Sequence, residues 1–167
     1  TSETTTGNTI TVMEDVKKTE KTDGTEGNDV KIVVDSVNAD TSETGKSTVT
    51  IGEGADVDLT VKDSNLTTGG HGIDIGVNLE GKDENKGANV DLTLDNTNIN
   101  LTEKDNTAGI VARDHSKVEV TLKGENTIDG KEALEDAAQE AEAEKKEGKS
   151  SPNRNVEGIR VGGENAG

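Results

Sequence analysis

Four five-residue segments, VKIVV from 30, VDLTV from 57, VDLTL from 90 and VEVTL from 118, carry one alternation. Their first, third and fifth residues are Val, Ile or Leu. Those between are Lys, Asp, Glu or Thr, with Val33 the one exception. A period of two puts the aliphatics on one face of an extended chain and the polar residues on the other, which describes a half-buried strand. The starts lie 27, 33 and 28 residues apart. A recurring unit of that length points to stacked repeats, each supplying the same strand.

Two further series keep step with the first. ITV (10–12), VTI (49–51), IDI (73–75), IVA (110–112) and IRV (159–161) alternate in the same way, the last three directly after a glycine. Asn38-Ala39, Asn65-Leu66, Asn98-Ile99 and Thr127-Ile128 follow a few residues after each member of the first series. Three strand-like segments in constant order predict a three-sided coil, a parallel β-solenoid. The stretch 109–130, GIVARDHSKVEVTLKGENTIDG, is its shortest and cleanest circuit. Spacing varies at the corners: the one after Ile110 is short, whereas 77–89 holds VNLEGKDENKGAN. A solenoid tolerates corner insertions, because the stacked core is untouched by them. Hairpins would call for two-residue Asn-Gly or Asp-Gly turns between strands. The one such pair near strand ends, Asp129-Gly130, leads instead into a polar run.

Stacking at ~4.8 Å would set equivalent residues above one another. The inward columns become Val30/Val57/Val90/Val118, Ile32/Leu59/Leu92/Val120 and Val34/Val61/Leu94/Leu122. Outward, Val33/Thr60/Thr93/Thr121 is β-branched, which suits an exposed pleat. Asn38, Asn65 and Asn98 are expected to form an amide ladder at a corner, where asparagine tolerates left-handed backbone. One column is awkward. Lys31, Asp58, Asp91 and Glu119 set three carboxylates in a row, each pair repelling by tenths to ~1 kcal/mol unless solvent or cations intervene. Asp58, Asp91 and Glu119 therefore form a candidate surface column.

Only 27% of the chain is hydrophobic and it contains no aromatic residue, so a thick globular core is excluded. A thin aliphatic core repeated along an axis remains affordable. With 35 acidic against 18 basic residues, the net charge of -17 argues against nucleic acid, whose phosphates need clustered Lys and Arg. It argues equally against anionic membranes. No apolar run approaches the ~18 residues of a membrane helix, so no membrane insertion is expected. There is no cysteine, which rules out disulfides and thiolate metal sites. No signal peptide is visible.

One stretch reads as helix. In 131–148, Ala133, Leu134, Ala137, Ala138 and Ala141 share a face, acids come early, Lys145 and Lys146 come late and Gly148 stops it. It is expected as a short insertion at a corner of a single domain spanning 1–167. After Ile159–Val161 the next strand of the first series is missing. That implies an open end, as in a piece of a longer chain or a subunit completed by a neighbour.

The residues that look chemical are few. Arg113-Asp114-His115 is the most tempting cluster, but the equivalent corners, Gly76-Val77-Asn78 and Gly162-Gly163-Glu164, bring nothing to meet it. It reads as a polar turn, as does His71 in GGHG, which has no phosphate-loop context. No catalytic set and no cofactor site is assigned. Hard oxygen ligands of the calcium kind occur at Asp23, Glu26, Asn28 and Asp29, and at Asp83, Glu84 and Asn85. Neither loop has EF-hand spacing, and an acidic solvated loop is the ordinary explanation. Without aromatics the usual sugar-stacking platform is missing. An ice-binding Thr array breaks after Thr9/Thr11 and Thr48/Thr50, where Gly72/Asp74, Gly109/Val111 and Gly158/Arg160 take over.

The phrase LTLDNTNINL…AGIVARDHSKVEVTLKGENTIDG…EGIRVGGENAG resembles the right-handed parallel β-helix repeats of bacterial cell-surface proteins, found in adhesin-like and carbohydrate-binding chains. The shared features are GI-x-V, then V-x-V-T-L, then G-x-N-T-I. The resemblance covers most of 47–167 and, more loosely, 7–46. It implies an all-β fold, a right-handed single-stranded parallel β-helix of about four irregular rungs, together with export and display on a bacterial surface. The expected function is non-catalytic: a structural or adhesive segment of a surface protein or filament. Its partners would be neighbouring repeats or subunits at the open ends, or a host or polysaccharide ligand. A Ca2+-assisted carbohydrate-binding module is the alternative, and a degenerate lyase-like enzyme the third reading.

Overall fold

The computed structural model describes residues 4–7, 9–18, 29–82, 85–103, 106–135, 139 and 156–161. The fold is all-β, built from parallel strands in three sheets. The first sheet orders β1 (Thr4–Thr6), β4 (Asn38–Asp40), β7 (Asn65–Thr68), β10 (Asn98–Leu101) and β13 (Thr127–Asp129). The second orders β2 (Ile10–Val12), β5 (Val49–Gly52), β8 (Ile73–Val77), β11 (Thr107–Ala112) and β14 (Val156–Val161). The third orders β3 (Val30–Asp35), β6 (Asp56–Lys62), β9 (Asn89–Asp95) and β12 (Lys117–Lys123). The chain visits first, second and third sheet in that order, again and again.

The register is the one the alternation predicts. Val30 pairs with Val57, Val57 with Val90 and Val90 with Val118, and the other two inward columns of the third sheet follow in step. Leu59, Leu92, Val61 and Val90 are fully buried. They join Val49, Ile51, Ile73, Ile75 and Ile110 of the second sheet and Leu66 and Ile99 of the first in one aliphatic core. Each buried aliphatic contributes about 1.5–3 kcal/mol relative to exposure, which is how a chain without aromatics stabilises a core. Along the last third-sheet strand the burial fades. Leu122 is 64% exposed, although Leu94, its neighbour in the column, is 2% exposed.

The corners are made by left-handed backbone. Ser36, Asp63, Asn96 and Gly124 have φ of 57°, 49°, 47° and 65° between the third and first sheets. Their amides bond up the stack: Ser36 N to Lys62 O at 3.0 Å, Asp63 N to Asp95 O at 2.9 Å, Asn96 N to Lys123 O at 3.1 Å. The expected corner asparagines are thus corrected. Asn38, Asn65 and Asn98 open strands β4, β7 and β10, and the turn itself is made two residues earlier. Their ladder is nonetheless formed. Asn65 Nδ2 donates to Asn38 Oδ1 at 3.1 Å, Asn98 Nδ2 to Asn65 Oδ1 at 2.9 Å, and Thr127 Oγ1 to Asn98 Oδ1 at 2.6 Å. Just inside this corner, buried Ser64 and Thr97 donate to the carbonyls of Lys62 at 2.7 Å and Val61 at 3.0 Å.

A second left-handed column, Asp15, Gly54, Gly87 and His115, joins the second sheet to the third. A Cβ on Gly87 would overlap the His115 backbone, so this position needs glycine for space as well as for φ. At the remaining corner buried threonines satisfy turn carbonyls: Thr48 Oγ1 reaches Gly72 O at 2.6 Å and Thr68 Oγ1 reaches His71 O at 2.8 Å.

One strand and the helix depart from the sequence pattern. Strand β1 precedes the Ile10 segment, the first stretch in which aliphatics alternate. The predicted helix is seen at 131–135, with Gln139 also helical; the rest of 131–148 lies outside the described residues. Asp129 caps it, accepting the Lys131 amide at 2.8 Å on Oδ1. Ala133 is buried, while Leu134, assigned to the same face, is 57% exposed. Among the described residues no helix is long and apolar enough to cross a membrane.

Candidate functional site

The outer face of the third sheet concentrates charge in three parallel columns. The middle one is the predicted column: Lys31 pairs with Asp58, Asp58 with Asp91 and Asp91 with Glu119. Period two makes this unavoidable, since inward aliphatics at 30, 32 and 34 and their equivalents send the residues between them to solvent. On one side run Asp56, Asn89 and Lys117, also in register. Asn89 Nδ2 donates to Asp56 Oδ1 at 3.1 Å. On the other side Asp35, Lys62, Asp95 and Lys123 alternate in sign from strand to strand.

The alternating column forms a direct ion pair, with Lys62 Nζ 2.9 Å from Asp35 Oδ2. The hydrogen bond from Lys62, helped by that of the Ser36 hydroxyl at 2.8 Å, lowers the Asp35 pKa. The same bond to Asp35 raises that of Lys62. Elsewhere on the surface, the hydroxyl and amide of Ser42 lower the pKa of Asp40.

The like-charged column borders a cavity instead. Lys18, Asp29, Asp56, Asp58, Asn89 and Asp91 line a small polar cavity of about 180 Å3. Lys18 Nζ lies 3.7 Å from Asp29 Oδ1, so one wall of the cavity carries an ion pair from the segment before β3. Asp29 is the one proposed calcium ligand among the acids whose position is described; it is exposed and ion-paired. Asp23, Glu26, Asn28, Asp83 and Glu84 lie outside the described residues, and Asn85 is exposed on a corner. Among the described residues, no three of the His, Asp and Glu side chains gather closely enough to hold a metal ion.

The tempting cluster is dispersed. Asp114 and His115 sit on an exposed turn, His115 in the left-handed conformation with φ 64°. Arg113 turns back instead and grips Asp74 with a two-pronged bond, Nε to Oδ1 and Nη2 to Oδ2, both 2.8 Å. Asp74 is buried, so this pair is a structural clamp across β8 and the end of β11. The equivalent corners, Gly76-Val77-Asn78 and Gly162-Gly163-Glu164, hold no partner for Arg113 and so do not reveal this pair. The signal was present: Val111 pairs with Asp74, and Arg113 lies two residues further along the same face. His71 is likewise a turn residue, its Nδ1 accepting the Ala108 amide at 3.1 Å.

A broader cleft of about 350 Å3 opens beside the columns, where Lys17, Lys86, His115 and Lys117 surround Asp56 and Asn89 at the corner of the second and third sheets. The outer surface is therefore segregated, cationic at that corner and anionic along the sheet. Compared with known proteins, the chain matches no family model, no curated protein and no solved structure.

Proposed function

We propose that the three sheets are the faces of a right-handed, single-stranded parallel β-helix. This coil serves as a non-catalytic structural or adhesive segment of a bacterial surface protein or extracellular filament. The observation that carries the reading is the register of the third sheet. Four strands pair without a slip, aliphatic inward and, Val33 apart, polar or charged outward, while the chain passes the other two sheets between each. Parallel strands joined by such crossovers wind right-handed in nearly all known sheets. Each circuit adds ~4.8 Å of length and contacts only its neighbours, which suits a spacer. Outward threonines and charges keep its flanks hydrated.

The surface assignment rests on the resemblance of the repeats, and it has a direct test. Antibodies against the purified chain should label intact cells of the source organism. Labelling that requires permeabilisation overturns display at the surface.

A second reading, a cation-assisted carbohydrate-binding module, draws on the cavity beside Asp29, Asp56, Asp58 and Asp91. Under it, Ca2+ raises the melting temperature and enables saturable glycan binding. Absence of both effects removes it.

A further inference from the structure

Where the third sheet turns toward the first, Asp35, Lys62, Asp95 and Lys123 alternate in sign over four adjacent strands. Asp35 and Lys123 are exposed, and Lys62 and Asp95 are half-exposed. The corner bordering this column, at 36–37, 63–64, 96–97 and 124–126, lies wholly within the described residues. The neighbouring outward column is Val33, Thr60, Thr93 and Thr121, which is β-branched and uncharged. Val33 in it is 61% exposed. The two columns form one side of the sheet's outer face.

We infer that this face pairs with the same face of a second copy of the chain. The pairing uses a two-fold axis in the contact plane, along the strand direction, between β6 and β9. Such an axis turns the charged column end for end. Asp35 then meets Lys123 of the second copy, and Lys62 meets Asp95 of the second copy. The order acid, base, acid, base is its own complement when reversed, so every contact in the column is attractive. One set of residues thereby serves both sides, as a two-fold interface requires. The step between charges is the strand spacing of ~4.8 Å, and a second copy carries the same step, so no mismatch accumulates. The acidic column fails this match, since Asp58 would meet Asp91 of the second copy. It lies beyond the threonine column, at the rim, where salt screens it.

The ion pair already present within the chain, Lys62 Nζ to Asp35 Oδ2 at 2.9 Å, leaves capacity for such contacts. An ammonium has more donors, and a carboxylate more acceptor sites, than one bond uses. The face is small. Four strands at ~4.8 Å and about four residues at ~3.3 Å cover roughly 250 Å2. A standard interface takes ~800 Å2 from each partner. The pairing is therefore transient, with a dissociation constant on the order of 1 mM. It needs only the register of the third sheet, and it stands apart from display at a cell surface.

The test uses the 167-residue chain in sedimentation equilibrium, up to about 2 mM. The parent should form dimers, with concentration-dependent amide shifts at the two columns. Lys62→Glu alone should weaken association at least about tenfold, because it sets like charges face to face twice. Asp95→Lys alone should weaken it as much, although it lowers the net negative charge. An equimolar mixture of the two variants should recover the parent's association, since each then meets the opposite charge on the other. Amide spectra report the fold of each variant. A misfolded one is replaced by the pair Asp35→Lys and Lys123→Glu, which exchanges the outer contacts in the same way. A parent that stays monomeric throughout overturns the pairing. So does a folded single variant that associates as the parent does, or a mixture of folded variants that recovers nothing.

Discussion

The side-chain amide of Asn98 donates to Asn65 Oδ1 at 2.9 Å, and Asn65 repeats the same bond to Asn38 at 3.1 Å. The ladder runs along the edge where the third sheet gives way to the first, tying three circuits by side chains as well as backbone. Asn65 is the only member bonded on both sides to another asparagine, so Asn65→Ala removes two bonds at once. It should destabilise the chain by about 1–2 kcal/mol, measured by urea unfolding. An unchanged midpoint would mean that solvent substitutes for the ladder.

The left-handed corners give a comparison between two glycines. Gly87 has φ 63° and no room for a Cβ against His115, whereas Gly81 has φ 67° and open space around it. Gly81→Ala should destabilise by about 1 kcal/mol, from backbone strain alone. Gly87→Ala should exceed about 2 kcal/mol, because the corner must also shift. Equal effects in thermal unfolding would contradict the stacked corner.

Core and end behave differently within a single column. Leu94→Ala should cost about 2–5 kcal/mol as a buried truncation. Leu122→Ala, on a largely exposed side chain, should stay within about 0.5 kcal/mol. Similar losses at both positions would show that β12 is covered in solution.

The Asp35–Lys62 pair predicts a small pH dependence of known sign. Asp35 is held below its ordinary 3.8, so its contribution is complete above that value and is lost as pH falls through the lower folded value. Lys62 is held above its ordinary 10.5, so its contribution is complete below that value and is lost as pH rises through the higher folded value. Both groups are solvent-exposed, which keeps the effect slight. Lys62→Met should flatten both flanks of the stability profile relative to the parent. A profile unchanged at both ends would mean that the pair contributes nothing.

How legible all this is in the sequence depends on what each element must do. The third-sheet columns could be read in advance because burial forces aliphatics to 57, 59 and 61 and again to 90, 92 and 94. Their outward partners follow without further information, and so does the acidic column. The corners were opaque, because Ser36, Asp63, Asn96 and Gly124 share a conformation and no common residue type. Asn38, Asn65 and Asn98 drew attention to the neighbouring position by being alike. Strand β1 was invisible because Thr-Thr-Thr offers no apolar period. The Asp74–Arg113 clamp joins residues 39 apart and could be found only by carrying the register through a corner of variable length.

The most direct test of the stacked parallel register uses the absence of native cysteine. Thr60 and Thr93 are outward-facing partners on adjacent strands, and Thr121 lies one strand further on. Adjacent parallel strands set α-carbons ~4.8 Å apart, within disulfide reach, while strands two spacings apart do not. Under mild oxidation the Thr60→Cys/Thr93→Cys variant should close a disulfide nearly to completion, and Thr60→Cys/Thr121→Cys should remain reduced. Efficient closure of the second pair, or failure of the first, would contradict the fold described here.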